Sequence, residues 1–95
     1  MTKFYVKFHE NVVAICDEDL IGKIFDDGKI KLEILPRFYG GELMDEKQIK
    51  DLLAKGKNLN LVGAKCIKIA LDNKIIKEEH VLYVKGIPHA QVYSI

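Results

Sequence analysis

KFYVKFHENVVAICD, residues 3–17, is the stretch on which the fold turns. Polar and apolar residues alternate through its first half, placing Phe4, Val6 and Phe8 on one face of an extended segment and Tyr5, Lys7 and His9 on the other. That period of two is the signature of a half-buried strand. Residues 12–17 make a second short β-branched run, and His9, Glu10 and Asn11 between the runs suit a tight turn. A hairpin is predicted, and a sheet therefore becomes the framework on which the rest of the chain packs.

C-terminal to the hairpin, Asp17 is placed to cap a short helix through DEDLIGK, with Glu18 and Asp19 near the positive end of its dipole and Gly22 stopping it. DDGK at 26–29 signals a turn, and KIKLEIL resumes the alternation with Ile30, Leu32 and Ile34 inward. Pro36 has no N–H for a ladder and ends that strand, so RFYGGE at 37–42 is predicted to be the loop that follows.

Asp45 and Gln48 read as a capping box, followed by an apolar stripe at Ile49, Leu52 and Leu53 and by acid-first pairs Glu46/Lys50 and Asp51/Lys55 up to Gly56. Asn60 can cap a second helix, on which Lys65, Lys68 and Asp72 form a narrow polar stripe while Val62, Cys66, Ile67, Ile69, Ala70 and Leu71 cover most of the rest. VLYVKGIPHAQVYSI supplies two last strands, separated by Gly86 and Pro88. The predicted order is β-β-(short α)-β-α-α-β-β. It makes one α+β domain over residues 1–95, with two main helices packed on one face of a mixed or mainly antiparallel sheet.

A chain of 95 residues with 48% hydrophobic content suffices for one core. Its N-terminus alternates and is followed by no long apolar run, so neither a signal peptide nor a membrane span is expected, and a cytoplasmic protein is. Cys16 and Cys66 each sit in an apolar stretch without a CxxC pair, which reads as two buried free thiols, a disulfide requiring their Cα atoms to come within about 7 Å. The net charge of +1 produces no overall field toward nucleic acid or membrane, but residues 1–45 sum to −3 and residues 46–95 to +4. Solvated faces or two electrically distinct sides both fit that asymmetry.

Two segments concentrate site chemistry. In RFYGGE, Gly40 and Gly41 could take positive φ and aim successive amides into an anion-binding concavity beside Arg37, whose guanidinium can grip a carboxylate or phosphate with two parallel bonds. The plainer reading is a glycine-permitted reversal with Phe38 and Tyr39 pinned to the core and Arg37 paired to an acid such as Glu42. In GIPHAQ, residues 86–91, His89 can be a base, a pH-sensitive contact or a stacking group, or simply a partly buried histidine bonded to backbone.

Other chemistry is poorly represented. No phosphate-loop GK[ST] ending and no GxGxxG occurs, and Ser94, the only serine, has no histidine and acid grouped with it. His9 with Glu10 and His80 with Glu79 are adjacent pairs, which on strands point apart, so no metal or cofactor is expected. The acids at 17–19 and 26–27 could supply two carboxylates for acid-base work, but helix-start and turn chemistry explains them more simply. Lys65 and Lys68, with Lys74 and Lys77, could follow a phosphate backbone or form an ordinary solvent face.

The blocks CDEDLIGK, GKIKLEI followed by FYGGEL, NLVG and GIPHAQV, in that order over nearly the whole chain, resemble the small archaeal family known as domain of unknown function 424. The lysine-rich, arginine-poor composition fits such a source. The resemblance implies a stand-alone α+β protein of about this size whose activity is not established. Residue by residue it singles out Phe38, Tyr39, Gly40, Gly41 and Glu42, then Asn60 and Gly63, then Pro88, His89 and Gln91; Arg37 lies next to the block, and its role rests on chemistry alone.

Two functional classes follow. The first is a non-enzymatic module binding RNA or a ribonucleoprotein, with Lys65 and Lys68 supplying charge, Phe38 and Tyr39 stacking, and Arg37, His89 and Gln91 hydrogen bonds. The second is a small enzyme or metabolite-binding protein that uses Glu42 or His89 with Arg37 on an anionic substrate. A protein-binding subunit is a third possibility. RFYGGE and GIPHAQ are expected side by side.

Overall fold

The computed structural model describes residues 2–56 and 58–93; Ser94 lies outside them. The hairpin is present as β1 (Lys3–Phe8) and β2 (Val13–Asp17), in antiparallel register from Phe4 opposite Asp17 to Phe8 opposite Val13. Three further strands, β5 (Glu42–Asp45), β6 (Leu59–Val62) and β8 (Ile87–Val92), join it with β7 (Leu82–Val84) in a mixed sheet of order β5-β1-β2-β6-β8-β7. Only β2 and β6 run parallel. The fold is α+β, as the sequence pattern predicts.

The first face of this sheet carries the two main helices. Helix α2 (Glu46–Lys55) opens with the predicted capping box: the Gln48 amide donates to Asp45 Oδ1 at 2.9 Å and the Asp45 amide to Gln48 Oε1 at 3.0 Å. Of its two predicted ion pairs, Glu46–Lys50 forms at 3.2 Å, exposed and therefore of small energetic consequence; Asp51–Lys55 is not among the pairs of the described residues. Ile49 and Leu53 of α2, and Cys66, Ile67 and Ala70 of α3 (Ala64–Asp72), bury against Phe4, Val6, Ile15, Leu59 and Leu61.

The start of α3 corrects the sequence reading. Asn60 is no helix cap, because it lies inside β6 with Ala14 on one side and Gln91 on the other. The cap comes from Asp17, 48 residues before Lys65: its carboxylate accepts from the Lys65 amide at 3.0 Å and the Cys66 amide at 2.9 Å. Gly63 precedes the helix at φ +115, and a Cβ there would collide with the Asp17 carboxylate. Asp17 therefore does not cap the segment after it, which forms only a single 3₁₀ turn, Glu18–Leu20.

The second face has a cover that the sequence reading did not foresee. A separate two-stranded ribbon, β3 (Ile24–Asp26) and β4 (Lys31–Glu33), and a one-turn helix α1 (Pro36–Tyr39) fold over it, packing Leu20, Leu32, Ile34 and Tyr39 on Ala14, Cys16, Val62 and Val84. Ile30, expected inward, is 38% exposed, and so is Phe8, at 53%. The ribbon's turn is closed by its own acids, Asp26 accepting from the Gly28 amide at 2.8 Å and Asp27 from those of Lys29 and Ile30. Cys16 belongs to this second layer and Cys66 to the first; both thiols are free and buried.

Candidate functional site

RFYGGE is not a loop. Pro36 supplies the first helical position with its φ already set, and α1 runs to Tyr39 before the chain enters β5 at Glu42. The one-turn helix has carbonyls to satisfy at its end, and β1 and the residue just after it supply the donors. Lys7 Nζ donates to the Arg37 carbonyl at 2.7 Å, and the His9 Nε2–H to that of Phe38 at 2.8 Å. His9 also stacks on Phe38, centroids 4.4 Å apart, and Phe38 meets Tyr39 edge-on at 5.0 Å.

The glycine pair forms no anion-binding concavity. Gly40 has φ −81, and neither it nor Gly41 is among the residues at positive φ. Their amides are engaged, Gly40 to the Pro36 carbonyl at 2.6 Å and Gly41 to that of Tyr39 at 2.9 Å. The glycines serve close approach instead: a Cβ on Gly40 would lie 2.6 Å from the Pro36 oxygen, and one on Gly41 would strike the Val6 carbonyl.

Between α1, the end of β4 and the second face of the sheet lies an open cleft of about 680 Å³. Arg37, Phe38 and Tyr39 form one wall, Lys31, Leu32, Glu33 and Leu35 supply the other, and Asn60, His89 and Gln91 make the floor. Cross-strand register explains the floor: Asn60 faces Gln91, and Val62 faces His89, so all four side chains emerge on the same side. The two predicted segments do meet here through Arg37, Phe38, Tyr39, His89 and Gln91.

Apart from the Glu33 carboxylate, which is paired with Lys31, the polar groups lining this cleft are mainly donors. The buried Tyr39, 3% exposed, donates its hydroxyl to Asn60 Oδ1 at 2.6 Å, burial having pushed the phenol well above its ordinary range. Tyr93 donates to Gln91 Oε1 at 3.2 Å. Both carboxamide oxygens are thus occupied, which leaves the amide nitrogens as donors. Arg37 is exposed, and its guanidinium has no ion-pair partner among the described residues, while Lys31 at the rim is held by Glu33 at 3.2 Å. His89 is the exception. Its Nδ1–H donates to the Leu61 carbonyl at 3.0 Å, and burial depresses its pKa against the opposing pull of that bond, so Nε2 keeps its lone pair near neutral pH.

The remaining candidates lie elsewhere. Glu42 pairs with Val6 on the first face, and β5 is separated from β8 by three strands, so it shares no site with His89 or Arg37. Lys65 and Lys68 are exposed on α3, also across the sheet, and Lys68 is tied to Asp72 at 2.8 Å. Pro88 is buried inside β8, where its carbonyl receives the Gly63 amide at 2.9 Å. Gly63 itself serves the Asp17 cap. Among the described residues no cluster of three metal-ligating side chains occurs, and no helix is long and apolar enough to cross a membrane.

The sequence reading missed Lys7 and His9 as the residues that hold α1, and Tyr93 as the partner of Gln91. A signal existed for the first two, since the alternation of β1 already puts Tyr5, Lys7 and His9 on one face.

A family model described as "Protein of unknown function (DUF424)" matches residues 6–95. The chain belongs to the DUF424 family. A solved structure described as an uncharacterized conserved protein from Methanopyrus kandleri shares the fold, with a TM-score of 0.73 and 23% identity over 100% of this chain and 93% of that one. No curated protein matches the chain. Family membership thus agrees with the fold and the block pattern, and the chemistry of the cleft is what bears on activity.

Proposed function

We propose that the chain is a non-enzymatic binding protein whose cleft takes a small oxyanion, a phosphate or carboxylate group on a metabolite. The observation that carries this reading is the donor-rich lining. The Arg37 guanidinium, without an ion-pair partner among the described residues, and two carboxamides with occupied oxygens present N–H groups to one space and call for a ligand rich in acceptors. His89 Nε2, an acceptor beside them, suits a hydroxyl on the same ligand, while the Glu33 carboxylate in the lining is engaged by Lys31.

A single-stranded RNA reading would need lysines and free aromatic rings on one surface. The lysines at 65 and 68 lie across the sheet from the cleft, the Tyr39 ring is buried, and one face of Phe38 is covered by His9. The support therefore goes to a small ligand over a polyanionic strand.

Calorimetric titration with inorganic phosphate, ribose 5-phosphate and citrate tests the reading. A bidentate charged contact is worth roughly 1.5–3 kcal/mol, so Arg37→Ala should weaken binding about 10- to 100-fold while leaving the melting temperature in place. Absence of binding by all three at about 1 mM, or equal binding by the variant, would sink it.

A further inference from the structure

The cleft does not end at His89. A second hollow of about 400 Å³ continues from it, and Lys31, Leu32, His89 and Gln91 line both spaces. Its character changes away from Arg37. Ile30 on the ribbon and Leu82 on β7 stand 38% and 44% exposed at its sides, with the buried Leu32 and Val84 beneath them. Leu82 sits directly opposite His89 in the β7–β8 register, so the aliphatic side chains begin beside the polar floor, with His80 a further polar side chain in the lining of this hollow.

Scattered exposed aliphatic side chains need no explanation. These two line the same hollow, and that hollow opens into the space containing Arg37, which has no ion-pair partner among the described residues. The compartment's apolar lining is entirely aliphatic, and the two rings that reach it are the imidazoles of His80 and His89. We infer that the site accommodates an amphipathic ligand: an oxyanion held at Arg37, a polar junction at His89 and Gln91, and a short alkyl or acyl chain lying between Ile30 and Leu82. This rests on the oxyanion reading above and adds the ligand's second half. Charge complementarity orients the ligand, because Arg37 lines only the first space and a head lying between Ile30 and Leu82 would lose it.

The experiment is a calorimetric series of methyl, butyl and hexyl phosphate on the intact chain and on Arg37→Ala, Leu82→Ser and Ile30→Ser, the last two neutral changes at exposed positions. A fully buried methylene is worth about 0.8 kcal/mol, or roughly fourfold, so a chain lying in an open groove should gain about two- to threefold per methylene. Leu82→Ser and Ile30→Ser should each flatten that dependence while leaving methyl phosphate affinity within about twofold. Equal affinity along the series, or a series unchanged in both serine variants, overturns the inference. If methyl phosphate still binds and Arg37→Ala abolishes it, the head site survives that failure. Failure of every phosphate to bind removes both.

Discussion

Asp17 and Gly63 form a coupled pair on which the start of α3 depends, and a double-variant cycle can measure it. Asp17 is 4% exposed and accepts from two amides that have no partner inside the helix. Losing a charged hydrogen bond of this kind costs about 1.5–3 kcal/mol, and losing a helix cap about 0.5–2. Part is returned, since burial holds the carboxyl above its usual range in opposition to the two amide bonds and the variant no longer buries a charge. Asp17→Ala should therefore cost about 2–3 kcal/mol. Gly63→Ala forces an L residue to φ +115, a strain of about 1–3 kcal/mol, and also displaces the same carboxylate from the same amides. The cap is then lost in both single variants and can be lost only once in the double. The double should fall short of the sum by about 2 kcal/mol. Urea denaturation followed by circular dichroism reads it, with sucrose added so that the double variant stays folded in a domain stable by about 5–15 kcal/mol. Additivity within about 0.5 kcal/mol would refute the coupling, because independent sites add to that tolerance.

Tyr39→Phe keeps the buried ring and removes the hydroxyl from Asn60, so it should cost about 1–2 kcal/mol in urea denaturation and weaken oxyanion binding by freeing the Asn60 oxygen toward the cleft. An unchanged ligand affinity would disconnect that hydrogen bond from the site. His89 has a depressed folded-state pKa, so the unfolded chain takes up its proton first as pH falls. Its contribution to stability is then present above about pH 6.5 and is lost as pH drops below that, levelling once the folded ring also protonates. Denaturation midpoints at pH 7.5 and 5.5 should differ less in His89→Gln than in the parent chain. Burial and neighbouring Asp17 push the Cys16 thiol up to about 12, and burial raises Cys66 well above its ordinary range. A disulfide reagent at pH 8 should therefore label both only as fast as the chain unfolds, and rapid labelling of either would contradict its placement.

Local patterns were legible to the extent that their partners were local. The Asp45–Gln48 box joins residues three apart and formed as the spacing requires. The alternation of Phe4 and Val6 identified the buried face of β1, and the stripe at Ile49 and Leu53 that of α2. Phe8 failed the same rule because it lies at the end of β1, where it remains half exposed. Gly40 and Gly41 were misread for a different reason. A glycine is compatible with positive φ and with tight approach alike, and the choice depended on where the Val6 carbonyl came to rest, 35 residues away in sequence from Gly41.

The candidate site divides along the same line. Composition and periodicity alone determined an α+β chain with two helices on one face, and placed an arginine, a histidine and carboxamides in two polar segments. Only the tertiary structure decided that β6 and β8 pair so that Asn60, Gln91 and His89 emerge together, and that α1 turns Arg37 over them. It also separated Glu42, Lys65 and Lys68 from that group by the thickness of the sheet. Periodicity reports which side of its own element a residue occupies. Which elements become neighbours depends on contacts closed over dozens of residues, such as Asp17 with Cys66 and Tyr39 with Asn60, whose energies are comparable with the hydrogen bonds to water that they replace.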